Sequence, residues 1–302
     1  MNWKKLGQVY HCKSIDEYLL SHASNPLAIH LKDDIYRVFF SGRDKENKSS
    51  VGYVDINIIE KIVLSTCKEV VVTYGDEDSF YSHGISIGNM YKIEDKNYIQ
   101  FMAWQIRNGG HWRVDIGRLE LNDKLDSLKL NPNSVYIGCN EEDKVSLSYS
   151  WIMKDEGIYK MWYGSTIDWS SPNGEMVHVI KYATSSDGEN WERKGLAIPY
   201  EIGVAQAFSR PTVVKDKEGY HMWFSYRSGD GTKYRIGYAH SLDGITWNRK
   251  KDSGIDVSES GWDSEMICYP FVFEHKGKIY MLYNGNDYGR EGFGLAVLED
   301  NK

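Results

Sequence analysis

Three side chains able to exchange protons, His22, His83 and Glu265, stand in short polar stretches just ahead of alternating apolar runs. Imidazoles titrate near neutrality and a carboxylate can serve as acid or base, so the three are the candidate catalytic groups. Arg210, in Ser209-Arg210-Pro211, can hold a carboxylate or phosphate through two parallel N–H bonds. Asn25, Arg43, Tyr149, Asp263 and Tyr269 are polar candidates for binding a substrate, and Trp104 offers a ring face on which a sugar can stack. Trp169 and Asp287-Tyr288 occupy similar loop positions. Each has a plain structural alternative. The histidines also read as satisfied core or rim residues, and the tryptophans as packing between sheets. Arg210 and Glu265 read equally as members of internal salt bridges, including one with each other. No Gly-rich phosphate loop, HExxH helix or nucleophile elbow is present. Cys12, Cys67, Cys139 and Cys268 are widely separated and form no CxxC pair, so no metal site, cofactor or disulfide framework is expected.

The elements that must position these residues are announced by a repeat. An aromatic alternating phrase begins at Tyr36, Tyr98, Tyr159, Tyr220 and Tyr280, at steps of 62, 61, 61 and 60 residues. Examples are Tyr159-Lys-Met-Trp-Tyr-Gly-Ser165 and Tyr220-His-Met-Trp-Phe-Ser-Tyr226. An apolar run precedes each phrase across a short polar turn, which predicts a β-hairpin, and a third run follows. Units three and four add Ser185-Ser-Asp187-Gly188-Glu-Asn-Trp191 and Ser241-Leu-Asp243-Gly244-Ile-Thr-Trp247, where Asp-Gly predicts a turn into a fourth strand. Four short antiparallel strands repeated about every 60 residues predict an all-β chain forming a single five-bladed β-propeller, because radial packing buries sheet faces that no lone sheet can bury. The expected blades are 20–80, 81–140, 141–204, 205–262 and 263–302, the last closed by the N-terminal segment at residues 3–10. The clearest helix-compatible stretch is 14–20, with Ser14 as cap.

Composition narrows the function classes. The chain has 302 residues, 41% apolar and 14% aromatic, with a net charge of −7. Apolar and aromatic content argues against disorder. The acidic balance argues against a dedicated nucleic-acid partner. No apolar run approaches the roughly 18 residues of a membrane span, so no membrane association is expected. Residues 1–8 carry two lysines but no apolar stretch behind them, so no secretory signal is expected, and with four free thiols the expected location is cytoplasmic.

Five four-stranded units with the Ser-x-Asp-Gly-x-x-Trp turn resemble the five-bladed glycosidase superfamily of β-fructosidases, arabinanases, xylosidases and mannoside phosphorylases. The resemblance spans nearly the whole chain. It is carried best by Ser209-Arg210-Pro211, Trp262-Asp263-Ser-Glu265, Tyr269-Pro270 and Tyr280-Met-Leu-Tyr-Asn-Gly-Asn286. It implies a central funnel lined by residues at the start of each inner strand, where family members place a nucleophile or base, an orienting carboxylate and a general acid. Counting back from the leading tyrosines puts Asn25, Arg210 and Tyr269, each before a proline, at those positions, with Ser86-Ile87 and Ser148-Tyr149 in units two and three. None is an acid, and Ser24-Asn25-Pro26 stands where the family often has Asn-Asp-Pro.

The resemblance therefore implies a carbohydrate-active, glycosidase-like hydrolase acting in the funnel on a small sugar or sugar conjugate, an anionic one suiting Arg210. Two alternatives stay open: a non-hydrolytic sugar-modifying enzyme using His and Glu for proton transfer, and a propeller that binds carbohydrate or acts as a scaffold without chemistry.

Overall fold

Alternation of large apolar with small or polar residues lets one run pack against sheets on both faces, and it produces twenty strands and one helical turn among the described residues. The structure is a computed structural model describing residues 1–106, 110–131, 134–229 and 231–299. Residues 300–302, the end of the last expected unit, lie outside the described residues.

After the N-terminal strand β1 (Trp3–His11), the chain forms four antiparallel groups of four strands. The first is β2 (Ser21–Lys32), β3 (Ile35–Arg43), β4 (Ser49–Asn57) and β5 (Ile62–Thr66). The second is β6 (Gly84–Ile93), β7 (Lys96–Ile106), β8 (Trp112–Leu121) and β9 (Leu128–Leu130). The third is β10 (Ser146–Asp155), β11 (Ile158–Asp168), β12 (Val177–Ser185) and β13 (Glu192–Leu196). The fourth is β14 (Ala207–Asp216), β15 (Gly219–Arg227), β16 (Arg235–Ser241) and β17 (Asn248–Lys250). The last group is β18 (Cys268–His275), β19 (Lys278–Asn284) and β20 (Gly292–Leu298), with β1 paired antiparallel to β20. Single parallel pairings, Ser49 with Gly84 and His178 with Ala207, link the first group to the second and the third to the fourth.

The first strands pack on one another in a cycle: β2 on β6, β6 on β10, β10 on β14, β14 on β18 and β18 on β2. This is the arrangement of an all-β propeller, with those strands nearest the axis. Large side chains fill the wedges between sheets. Trp162 of β11 is fully buried and donates its indole N–H to the Gly244 carbonyl beyond β16, at 2.9 Å. Most of the aromatic content is spent this way, since each buried ring removes on the order of 150–250 Å² from water.

The Asp-Gly turns are structural. Ser185 receives the Gly188 N–H at 2.9 Å, and Asp187 receives those of Glu189 and Asn190, both at 2.8 Å; Ser241 and Asp243 repeat the arrangement. The segment 14–20 is not a helix. Asp16 accepts the Tyr18 and Leu19 N–H groups in a tight turn, and the Leu19 side chain is buried over Gly42 and Gly52. Burial of Leu19 outweighs the weak helical propensity of so short a segment. Among the described residues no helix is long and apolar enough to cross a membrane.

Candidate functional site

Every axial strand is interrupted at the same height. Pairing with the second strand breaks between Ser24 and Leu27, Ile87 and Met90, Leu147 and Ser150, Ser209 and Thr212, and Cys268 and Phe271. Two residues bulge in each case: Asn25-Pro26, Gly88-Asn89, Ser148-Tyr149, Arg210-Pro211 and Tyr269-Pro270. The position expected at Ser86-Ile87 is thus two residues later, because Gly88-Asn89 carries the interruption. Asn25, Arg210 and Tyr269 take left-handed φ values of 59°, 49° and 54°. Proline leaves no N–H to donate there, and bulges re-aim side chains. The bulges are held from outside. Ser41 of β3 accepts the Ile87 N–H at 2.9 Å, Ser225 of β15 accepts that of Tyr269 at 2.7 Å, and Asn284 of β19 accepts that of Asn25 at 2.8 Å.

A cavity of about 240 Å³ opens over these bulges. Asn25, Ser86, Tyr149 and Tyr269 line it from the axial strands. Arg43, Ser49, Trp104, Trp112, Met176, Arg227, Tyr234 and Tyr288 line it from strand ends and loops. Tyr149, Tyr234, Tyr269 and Tyr288 form a connected aromatic wall, with ring centroids 5.8 to 6.4 Å apart along its contacts. Trp104 is fixed by an N–H bond of 2.9 Å to Ser49, and a Cβ at Gly84 would lie 2.2 Å from its indole nitrogen.

Arg210 lies under the floor, 3% exposed. Its guanidinium reaches across the axis to the Ile87 carbonyl of β6 and to the carbonyls of Asn25 and Pro26 on β2, the latter two at 3.1 and 2.8 Å. It makes no ion pair among the described residues, so the alternative of a bridge to Glu265 does not hold; Glu265 pairs with Lys233. Burial lowers its pKa to about 10. A buried cation without a counter-charge is costly and projects its field into the cavity above.

No carboxylate lines the cavity among the described residues. Arg43 makes no ion pair or side-chain hydrogen bond among the described residues. Arg227 is balanced by Glu175 at 2.9 Å. Burial raises the pKa of Tyr149, Tyr234 and Tyr269, so these phenols stay protonated and can donate. The lining is rich in hydrogen-bond donors and positively charged. No group of three or more His, Cys, Asp or Glu is placed to hold a metal among the described residues.

Of the residues expected at the site, Asn25, Arg43, Trp104, Tyr149 and Tyr269 meet in the cavity and Arg210 lies beneath it. The candidate catalytic groups do not line it. Glu265 is exposed and paired with Lys233. Asp263 is buried against Lys5 at 2.7 Å and the Tyr283 hydroxyl at 3.0 Å. Asp143 receives Tyr163 in the same way at 2.8 Å, which marks Asp263 as a feature of the repeat. His22, next to Ser21, has its pKa lowered to about 4, chiefly by burial and then by Arg43 and Arg290. His83 stands behind Trp104, ring centroids 6.0 Å apart, and burial and Lys48 lower its pKa. Trp112, Arg227 and Tyr234 were not singled out by the sequence. Arg227 ends the aromatic phrase of the fourth unit as Arg43 ends that of the first, and this correspondence was the available signal.

No protein-family model matches the sequence. The chain is 39% identical over 303 residues to the uncharacterized protein Rv1502 of Mycobacterium tuberculosis strain H37Rv, covering 99% of this chain and 100% of that one. The uncharacterized protein MT1551 of Mycobacterium tuberculosis strain CDC 1551 / Oshkosh matches with the same identity and coverage. Among solved structures, a glycoside hydrolase superposes with a TM-score of 0.76 at 13% identity, covering 99% of this chain and 93% of that one. A member of the GH130 family of mannoside phosphorylases, described as containing glycoside hydrolases for β-1,2 mannosidic linkages, superposes with a TM-score of 0.69 at 15% identity, covering 100% and 94%. At such identities the likeness is one of fold. The chain belongs to the family of the mycobacterial protein Rv1502, and its fold is the one seen in glycosidase-like β-propellers.

Proposed function

We propose that the chain is one five-bladed propeller domain whose axial cavity binds a small anionic sugar or sugar conjugate, without the paired carboxylates of glycosidases. The observation that carries this reading is the lining: Arg43 unpaired, Arg210 beneath, protonated tyrosines around, and no carboxylate among the described residues. The cycle of axial strands supports five blades, and the pairing of β1 with β20 supports closure. Hydrolysis by the usual route needs two carboxyl groups flanking the bond, about 5–10 Å apart. The volume lies below the range of about 300–1,000 Å³ typical for drug-sized ligands, which favours a small one. Trp104 and Trp112 supply ring faces. Four cysteines without disulfides support a reducing, cytoplasmic setting.

A second reading, glycosidase-like turnover, is favoured by the fold of the solved neighbours. Its acid would be Glu175, which Arg227 holds at the cavity edge.

Calorimetric titration with small neutral, carboxylated and phosphorylated sugars separates these readings. Anionic sugars should bind more tightly than neutral ones, Arg43→Met should weaken that binding at least tenfold, and Glu265→Gln should leave it unchanged. Product release that depends on Glu175 would support turnover instead. Equal affinity for neutral and anionic sugars, or indifference to Arg43→Met, would exclude the anionic-sugar reading.

A further inference from the structure

The charges around the cavity can be counted. Arg227 is balanced by Glu175, and Lys48, near His83, pairs with Glu46. Arg290 is exposed to solvent. His22 and the buried His178 are neutral near pH 7, their pKa values lowered to about 4 and about 3. Two guanidinium groups, Arg43 in the lining and Arg210 under the floor, stay without a carboxylate among the described residues. Where water is scarce, two such cations call for about two negative charges. A carboxylate supplies one charge on two oxygens. A phosphate monoester carries about −1.5 to −2 at pH 7 on three acceptor oxygens.

A second observation constrains the rest of the ligand. Asn25, 2% exposed, has a side-chain oxygen with no hydrogen-bond partner among the described residues. A buried acceptor left unsatisfied is costly, and a sugar hydroxyl supplies the donor that a phosphate dianion lacks. The lining is divided to match. Arg43, Asn25 and Tyr288 come from the first and last groups, whereas Met102, Trp104 and Trp112 come from the second.

We infer that the ligand is a phosphorylated small sugar, its phosphate dianion balancing Arg43 and Arg210, a hydroxyl donating to Asn25, and its ring face set against Trp104 and Trp112. This rests on the anionic-sugar reading of the cavity and adds to it the charge and the donor.

The test is calorimetry on the full chain with matched ligands: a hexose 6-phosphate and 1-phosphate, the uronate of the same hexose, the free hexose and inorganic phosphate. A sugar phosphate should bind at least tenfold more tightly than the uronate, and at least tenfold more tightly than inorganic phosphate. Asn25→Asp adds one negative charge at nearly unchanged shape and should lower sugar-phosphate affinity at least tenfold. Arg43→Met should do the same by removing one positive charge, and it stands as the charge test if Asn25→Asp does not fold. Uronate binding as tight as sugar phosphate would overturn the charge count while leaving the anionic-sugar reading intact. Inorganic phosphate binding as tight would overturn the sugar part. Failure of every anionic sugar to bind would remove the reading on which the inference rests.

Discussion

His178 shows how far a single buried side chain sets the conditions under which the chain folds. It is 2% exposed, and its two ring nitrogens meet the hydroxyls of Ser148 at 2.6 Å and Thr166 at 2.8 Å. Burial, with a smaller effect from Arg227, lowers its pKa from 6.5 to about 3. Between these values the unfolded chain binds the proton and the folded chain does not, so stability rises with pH through this window. The contribution is therefore complete above pH 6.5 and is lost as pH falls below it, by about 2 kcal/mol at pH 5. His22 acts in the same direction, its pKa lowered to about 4. Thermal unfolding of His178→Asn should start lower at pH 7 but fall less between pH 7 and pH 5 than that of the wild type. Parallel curves would show that His178 is protonated in the fold. At this scale the sequence was partly legible. Asn25, Arg210 and Tyr269 could be found because each stands before a proline at a repeated offset. Glu265, like His83, stands just ahead of an axial strand, in a loop whose direction no periodicity encodes, and there it turns outward to Lys233.

The axial strand is the element that makes the site, and its bulge does more than its pairing. Five two-residue interruptions at one height leave backbone groups that the sheets cannot satisfy. Arg210 answers three of them at once, binding carbonyls of β2 and β6 from β14. Arg210→Met keeps volume and apolar fit but strands those buried carbonyls, at about 1–3 kcal/mol each. The expected loss is about 3 kcal/mol or more in denaturant titration, with Arg210→Lys recovering only part, since an ammonium cannot reproduce the planar fork. An unchanged midpoint in Arg210→Met would mean that water or local relaxation satisfies the carbonyls. The strands themselves were legible from period-two alternation and turn residues. The bulge height was legible in three units through proline and displaced in the second, where Gly88-Asn89 carries no proline and Asn89 bonds to Ile152 of β10 instead.

At the scale of the molecule, the first strand joins the two ends of the chain. β1 covers the outer edge of the last sheet by pairing from Trp3 with Leu298 to His11 with Gly292, so that edge no longer offers unpaired backbone groups. Side chains secure the join. Trp3 is 5% exposed and packs edge-on against Trp223 at 5.7 Å, and Lys5 bonds Asp263 at 2.7 Å. The even steps between leading tyrosines made the strands of the repeat legible; no periodicity could show the Lys5 pair, whose partners lie at opposite ends of the chain. Deleting residues 1–11 exposes the β20 edge, uncovers Trp223 and leaves Asp263 buried without its cation, three costs of different kinds falling on one seam. The truncated chain should lose cooperative unfolding or associate through the open edge, as read by calorimetry and by size-exclusion chromatography. A peptide of residues 1–12 supplied in trans should restore a monomer by adding a strand to that edge. A truncated chain that stays monomeric with the wild-type melting temperature would show that the fold holds without this seam.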